Sequence, residues 1–181
     1  MSDQIVFQVA KSESEKKAAY RLRYEVFTLE EADQRYANHG TKEYKDSDDV
    51  DESVLFVAKS NDQVVGTARL KILSRREFIA VDQYHLSALA ERLNENLGDI
   101  SKHLGCMDRL VVSKPMRGGS VAQRLANAGE RFGKSLQIKY MVGNYKIDKT
   151  TIGMLYSALG YQKYAIGTHR DVTCQCMYKV L

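Results

Sequence analysis

Arg117-Gly118-Gly119-Ser120, followed by Val121, Leu125, Ala128, Phe132 and Leu136 at helical spacing, sets a glycine turn at the mouth of an amphipathic helix. Adjacent glycines let the backbone turn tightly and come close to a ligand, and the first helical turn leaves N–H groups without intrahelical partners. With about half a positive charge from the helix dipole and the full charge of Arg117, such a turn seats an anion such as a phosphate. A plain glycine-bearing helix entry would read the same way, so the turn alone leaves both readings open.

Other reactive side chains are less clustered. Asp46, Asp48, Asp49, Asp51 and Glu52 make the stretch before the first hairpin acidic, a setting that would attract a cationic amine. Cys174 and Cys176 share one strand face without further ligands at metal spacing, which reads as core or edge packing. His39, His85, His103 and His169 are scattered, and no metal is expected.

These residues sit among alternating strand and helix signals. Residues 5–10 alternate as a strand, Ser12-Glu13-Ser14-Glu15 reads as a capping box, and Ala19, Leu22, Val26 and Leu29 continue a helix. Residues 34–53 lose all periodicity and read as a long loop. Strands at residues 54–58 and 64–70 flank Asn61-Asp62 as an antiparallel hairpin. A second helix carries Leu86, Leu89, Leu93 and Leu97, with Asp82 as its cap and Gly98 as its end. Strands at 108–113, 139–144, 162–166 and 174–180, and helices at 121–136 and 151–159, complete a mixed α/β order.

The chain's 181 residues and 44% hydrophobic content suit one compact domain spanning 1–181. No apolar run approaches the roughly 20 residues of a membrane-spanning helix. Without a secretory-type start, and with three cysteines that cannot all pair, the expected setting is the cytoplasm. Residues 101–181 carry 13 Lys and Arg against 4 Asp and Glu, and residues 1–100 carry 14 against 19, so charges of +9 and −5 lie behind the net +4. The basic half implies an anionic partner: a phosphorylated cofactor, an acidic protein or nucleic acid.

Arg-Gly-Gly-Ser-Val-Ala after the strand Arg109-Leu110-Val111-Val112 resembles the Gln/Arg-x-x-Gly-x-Gly/Ala signature of the GNAT N-acetyltransferase superfamily, with Ser120 at the middle glycine. Downstream, Leu155-Tyr156-Ser157-Ala158-Leu159-Gly160-Tyr161 resembles that family's Tyr-x-x-x-Gly-Phe/Tyr ending of the last helix. Within the superfamily, Arg23-Tyr24-Glu25-Val26-Phe27, the acidic loop with Asp48 and Asp51, Gly66-Thr67-Ala68-Arg69-Leu70, and Arg109 resemble the acyl-homoserine-lactone synthases and the related long-chain N-acyl amino acid synthases.

The resemblance implies the GNAT fold, a mixed, mostly antiparallel central sheet flanked by helices. It implies transfer of an acyl group from acyl-coenzyme A or an acyl-carrier protein to a small amine such as an amino acid. The pyrophosphate would lie on Arg117, Gly118, Gly119, Ser120, Val121 and Ala122, and the pantetheine arm on the main chain of Leu110, Val111 and Val112. Arg23, Phe27, Asp48, Asp51, Arg69 and Arg109 would shape the amine pocket, and Tyr156 would protonate the departing thiolate. The family's glutamate three residues before the strand arginine falls at Cys106, leaving the base unassigned. Asp108 either takes the amine's proton, directly or through water, or partners Arg109 structurally. Strand alternation sets Asp108 and Arg109 on opposite faces unless a bulge intervenes.

Arg117, Arg124 and Arg131, spaced by seven with Lys134 nearby, form either a solvated helix face or a dock for an acidic carrier protein. Three other functions stay in view: an acetyl-coenzyme A-dependent acetyltransferase of a protein or polyamine, a non-catalytic acyl-coenzyme A-binding module, and a nucleic-acid-binding module. The last has no helix-turn-helix, zinc-ligand set or aromatic RNA-binding strand behind it, so nucleic acid is not an expected partner.

Overall fold

The computed structural model describes residues 4–73, 84–169 and 172–181. In chain order the elements are β1 (Val6–Val9), α1 (Glu13–Arg23) with a π-helical continuation (Tyr24–Glu30), β2 (Ala37–Asn38), β3 (Glu43–Tyr44), β4 (Ser53–Ser60), β5 (Gln63–Ile72), α2 (Leu86–Leu93), α3 (Leu97–Lys102), β6 (Leu104–Val112), α4 (Val121–Ser135), β7 (Tyr140–Lys146), α5 (Thr150–Ala158), β8 (Gln162–His169) and β9 (Val172–Val180). Residues 1–70 and 108–129 form one compact unit, and residues 71–107 and 130–181 a second. β5, β6 and α4 run through both.

In the first unit β1, β4, β5 and the later part of β6 are neighbours in that order. β1 runs antiparallel to β4 from Val6↔Lys59 to Val9↔Phe56. The hairpin turns through Asn61 and Asp62, both with positive φ (46° and 63°), as a tight two-residue connection between twisted strands requires. Ser12 caps α1 as expected, accepting from the Glu15 N–H at 3.2 Å while Glu15 accepts from the Ser12 N–H. Ala19 and Tyr20 then pack on Leu55 and Val57, and Leu22 and Val26 on Val111. Over β5, Val121 and Leu125 of α4 close on Gly66, where a Cβ would meet Leu125 at 2.9 Å. The missing side chain lets the helix approach the strand.

In the second unit the early part of β6, then β7, β9 and β8, follow in order. β6 pairs in parallel with β7 over Leu104–Cys106, while β7–β9 and β9–β8 are antiparallel. Tyr84, Leu89, Ile100, Leu104, Cys106, Tyr140, Val142 and Tyr178 form its core. The mixed, mostly antiparallel sheet flanked by helices is the one expected.

Three local expectations need correction. The helix expected to carry Leu29 on its apolar face widens into π turns after Arg23, with the Glu31 N–H bonded to the Val26 carbonyl; the wider turn shifts the phase, and Leu29 is 66% exposed. The stretch 34–53 is not structureless, because β2 and β3 pair as a short hairpin that buries Tyr44 completely. The helix expected to end at Gly98 breaks at left-handed Asn94, and α3 restarts with Asn96 as its cap, accepting from the Gly98 N–H at 2.8 Å. Asp82, the expected cap of α2, lies outside the described residues. Among the described residues no helix is long and apolar enough to cross a membrane.

All three cysteines are free and buried, and burial pushes the Cys176 thiol up to about 11 and the Cys174 thiol upward as well. A thiol-titrating reagent should therefore label none of them rapidly in the native protein and all three after denaturation. A fast-reacting native thiol would contradict this packing.

Candidate functional site

Two guanidinium groups, from Arg23 on α1 and Arg69 on β5, are almost completely buried in the first unit. A buried charge needs counter-charges, and the loop after β3 supplies two of them and β6 the third. Arg69 Nη1 donates to Asp46 Oδ1 at 2.5 Å and lies 3.1 Å from Asp49 Oδ1. Its Nε and Nη2 donate to the two oxygens of Asp108, each at 2.8 Å. Arg23 Nη1 donates to Asp49 Oδ1 at 2.8 Å, and Arg109 Nε to Asp46 Oδ2 at 2.9 Å. Three arginines and three aspartates thus make a neutral cluster.

The loop is folded on itself to present these carboxylates. The Asp46 N–H donates to Asp49 Oδ2 and the Asp48 N–H to Asp46 Oδ1, both at 3.0 Å. Burial alone would raise the Asp46 carboxyl, but Arg69 and Arg109 hold it well below the usual carboxylate range. Burial likewise opposes the charge on Arg69, and Asp108, Asp49 and Asp46 restore it.

Asp108 and Arg109 are adjacent in β6 yet both join this cluster. The reason is Arg109's φ of +50°, a left-handed residue in a strand, which breaks the alternation as a bulge would. A non-glycine residue there costs about 1–3 kcal/mol, offset locally by its ion pair with Asp46 and by aromatic rings. Its guanidinium lies 5.3 Å from the centroids of Tyr36 and Tyr44 and 5.7 Å from that of Phe27. Phe27 and Tyr44 are themselves in ring contact at 4.9 Å. The Tyr44 hydroxyl donates to Asp33 at 2.8 Å, which fixes the far edge of this cage.

At the glycine turn, only Gly118 has a positive φ, +78°, and a Cβ there would meet nothing within 4 Å, so its backbone conformation and not crowding calls for glycine. α4 begins right after it, with the Arg124 N–H bonded to the Ser120 carbonyl at 2.9 Å. Arg117 is partly committed: its Nε donates to the Val112 carbonyl at 2.9 Å, and Nη1 and Nη2 fork onto Glu30 at 2.6 and 2.9 Å. Further along α4, Arg124 covers the Phe7 ring at 4.2 Å, while Arg131 and Lys134 are exposed.

Tyr156 belongs to the second unit, half-buried on α5. Its ring stacks on Tyr145 at 5.9 Å and meets Tyr161 edge-on at 5.0 Å. Burial pushes the Tyr161 hydroxyl far upward, so Tyr161 keeps its proton at neutral pH. Cys106, at the position of the family's glutamate, is completely buried and its thiol donates to the Tyr84 hydroxyl at 3.0 Å. It fills a core position instead of supplying a base.

The structure therefore brings together Arg23, Phe27, Arg69, Asp108 and Arg109 of the residues expected from sequence. The aspartates that meet the arginines are Asp46 and Asp49, two positions before the expected Asp48 and Asp51; Asp48 supplies its backbone N–H and Asp51 is exposed. Both pairs have the same spacing of three within one acidic run, so spacing could not choose between them. Tyr36 and Tyr44 of the cage were also missed, and no periodic signal marks them. Leu110, Val111 and Val112 follow the kink on β6. Among the described residues no group of His, Cys, Asp and Glu could hold a metal ion.

The fold is that of the GNAT acyltransferases. Solved structures with this architecture include the CoA-dependent acyl-homoserine lactone synthase BjaI with SAM and isopentyl-CoA (TM-score 0.74, 16% identity, covering 97% of this chain and 82% of that one). They also include FeeM, an N-acyl amino acid synthase from uncultured soil microbes (TM-score 0.72, 14% identity, covering 99% and 92%), and a GNAT-family acetyltransferase from Staphylococcus aureus Mu50 (TM-score 0.68, 12% identity, covering 98% and 99%). The family model of the N-acyl amino acid synthase FeeM matches residues 18–142, and the chain belongs to that family. Comparison with curated proteins gave no match.

Proposed function

We propose that this N-acyltransferase moves an acyl group from acyl-coenzyme A or an acyl-carrier protein to the α-amine of an amino acid. The observation that carries this reading is the exposed end of the ion cluster. Asp108 and Arg109 keep 23% and 20% of their side chains exposed, whereas Arg69 and Asp46 keep 1% and 6%. A carboxylate beside a guanidinium, both rigidly held, complements the ammonium and carboxylate of a zwitterion.

In the reaction, Asp108 takes a proton from the bound ammonium, directly or through water, and releases it to solvent. The free amine attacks the thioester carbonyl, its C–N bond forms, the C–S bond breaks, and Tyr156 gives its proton to the departing thiolate. The amide nitrogen loses its second proton to the same solvent pool, from which Tyr156 is reprotonated. Phosphates of the donor sit on the amides at Arg117, Gly118, Gly119, Ser120, Val121 and Ala122, and its pantetheine arm on Leu110, Val111 and Val112. The exposed cations of α4 suit an acidic carrier protein. Three buried thiols suit a cytoplasmic setting, and the passage of β5, β6 and α4 through both units supports one domain over 1–181.

The test is amide formation from acetyl-, octanoyl- and palmitoyl-coenzyme A with a mixture of amino acids, read by mass spectrometry. Acylated amino acid supports the reading; acetylation confined to proteins or polyamines overturns it. Arg117→Ala should weaken coenzyme A binding by about tenfold, the loss of one charged hydrogen-bonding contact. Glu30→Gln, which releases Arg117, should leave binding equal or tighter in a calorimetric titration. Unchanged affinity in Arg117→Ala would remove Arg117 from the phosphate site.

A further inference from the structure

β7 and α5 meet through a reciprocal joint in the second unit. Gly143 and Tyr145, two apart, share one face of the strand, and Gly153 and Tyr156, three apart, share one face of the helix. A Cβ on Gly143 would fall 2.7 Å from Cζ of Tyr156 and nearer still to its hydroxyl oxygen. A Cβ on Gly153 would fall 2.7 Å from the Tyr145 hydroxyl oxygen and 2.8 Å from its Cζ. Each glycine is thus the hollow that receives the other element's phenol.

Neither hollow can easily recede. Gly143 is buried inside β7, paired with Met177 of β9, and Gly153 is buried on α5. The Tyr145 ring stacked on Tyr156 and the edge of Tyr161 restrict the phenol from two further sides. Glycine weakens both a strand interior and a helix interior, so two glycines opposed to two tyrosines set local propensity against a specific seat.

We propose that Gly143, Gly153 and Tyr145 are positioning residues that fix the Tyr156 hydroxyl for proton transfer. The proposal rests on the reading of Tyr156 as the proton donor. Protonation of a leaving group falls steeply when the acid is displaced, and a methyl group at either glycine must displace a phenol.

The test compares octanoyl-coenzyme A with octanoyl thiophenol, whose more acidic thiol leaves without help, using an equimolar mixture of the proteinogenic amino acids as acceptor. Tyr156→Phe should lose about 10²–10⁴-fold in kcat on the coenzyme A ester and much less on the aryl ester. Gly143→Ala should reproduce that pattern with coenzyme A affinity unchanged. Gly153→Ala should do so more weakly, and it carries the test if Gly143→Ala does not fold. Tyr145→Ala should follow the glycine variants, while Tyr145→Phe, which keeps the stacked ring, should lose less than Tyr145→Ala. If Tyr156→Phe depends on the leaving group and folded glycine variants lose equally on both esters or on neither, positioning is overturned alone. If Tyr156→Phe shows no such dependence, the proton-donor reading falls and the proposal with it.

Discussion

Arg69→Met is expected to lower the free energy of unfolding by about 3–5 kcal/mol at neutral pH, because it strands partners of a buried ion pair. Arg69 is 1% exposed and serves Asp46, Asp49 and Asp108 at once. Methionine fills the space but returns none of five N–H donors. The pH dependence gives the sharper check. In the native protein the Asp46 pKa is depressed, so its contribution is present above the unfolded carboxylate value of about 3.9 and is lost as pH falls through that value toward the folded one. Without Arg69, the burial cost on Asp46 is opposed by Arg109 with its stronger helper gone, so the folded value rises. The variant then becomes relatively less unstable as acid neutralises the stranded carboxylates. Urea unfolding at about pH 7 and about pH 4 should show the gap narrowing; a gap below about 1 kcal/mol at neutral pH, or one constant with pH, would refute the cluster's role.

Tyr156→Phe is expected to lower kcat by about 10²–10⁴-fold, the usual weight of a positioned general acid. Phenylalanine preserves the ring contacts with Tyr145 and Tyr161, so the native fold should be retained. Titration of the variant with coenzyme A should give the wild-type affinity, since a group acting on the leaving thiolate stabilises the transition state and not the bound donor. A variant with normal turnover, or with donor affinity lost in proportion to turnover, would make Tyr156 a packing residue.

What could be read from the sequence divides by range. The capping box at Ser12, the turn at Asn61-Asp62 and the glycine turn before α4 are local chemistry, and each appeared where expected. The π turn after Arg23 was not readable, because helical and π periodicities differ only in phase over one or two turns. The kink at Arg109 was foreseen only as the condition for Asp108 and Arg109 to face one way, because an arginine carries no signal for a left-handed backbone; joining one ion cluster, Asp108 through Arg69 and Arg109 through Asp46, is what demands it. Choosing Asp46 and Asp49 over Asp48 and Asp51 required knowing where three guanidiniums stand, which depends on α1, β5 and β6 together. Tyr36 and Tyr44 belong to the same case, since the cage exists only once Arg109 turns toward them.

The ion cluster also bears on the order in which the first unit folds. Its links join residues 26, 23, 39 and 63 positions apart along the chain. None can form from local contacts, and each demands closure of a long loop before it contributes anything. A chain that had packed α1, β5 and β6 without the Asp46–Asp49 turn would bury the Arg23 and Arg69 guanidiniums with only Asp108 of the cluster's carboxylates beside them. The turn and the sheet must therefore close in one cooperative step, so a stretch with almost no secondary structure decides when the surrounding strands can become native.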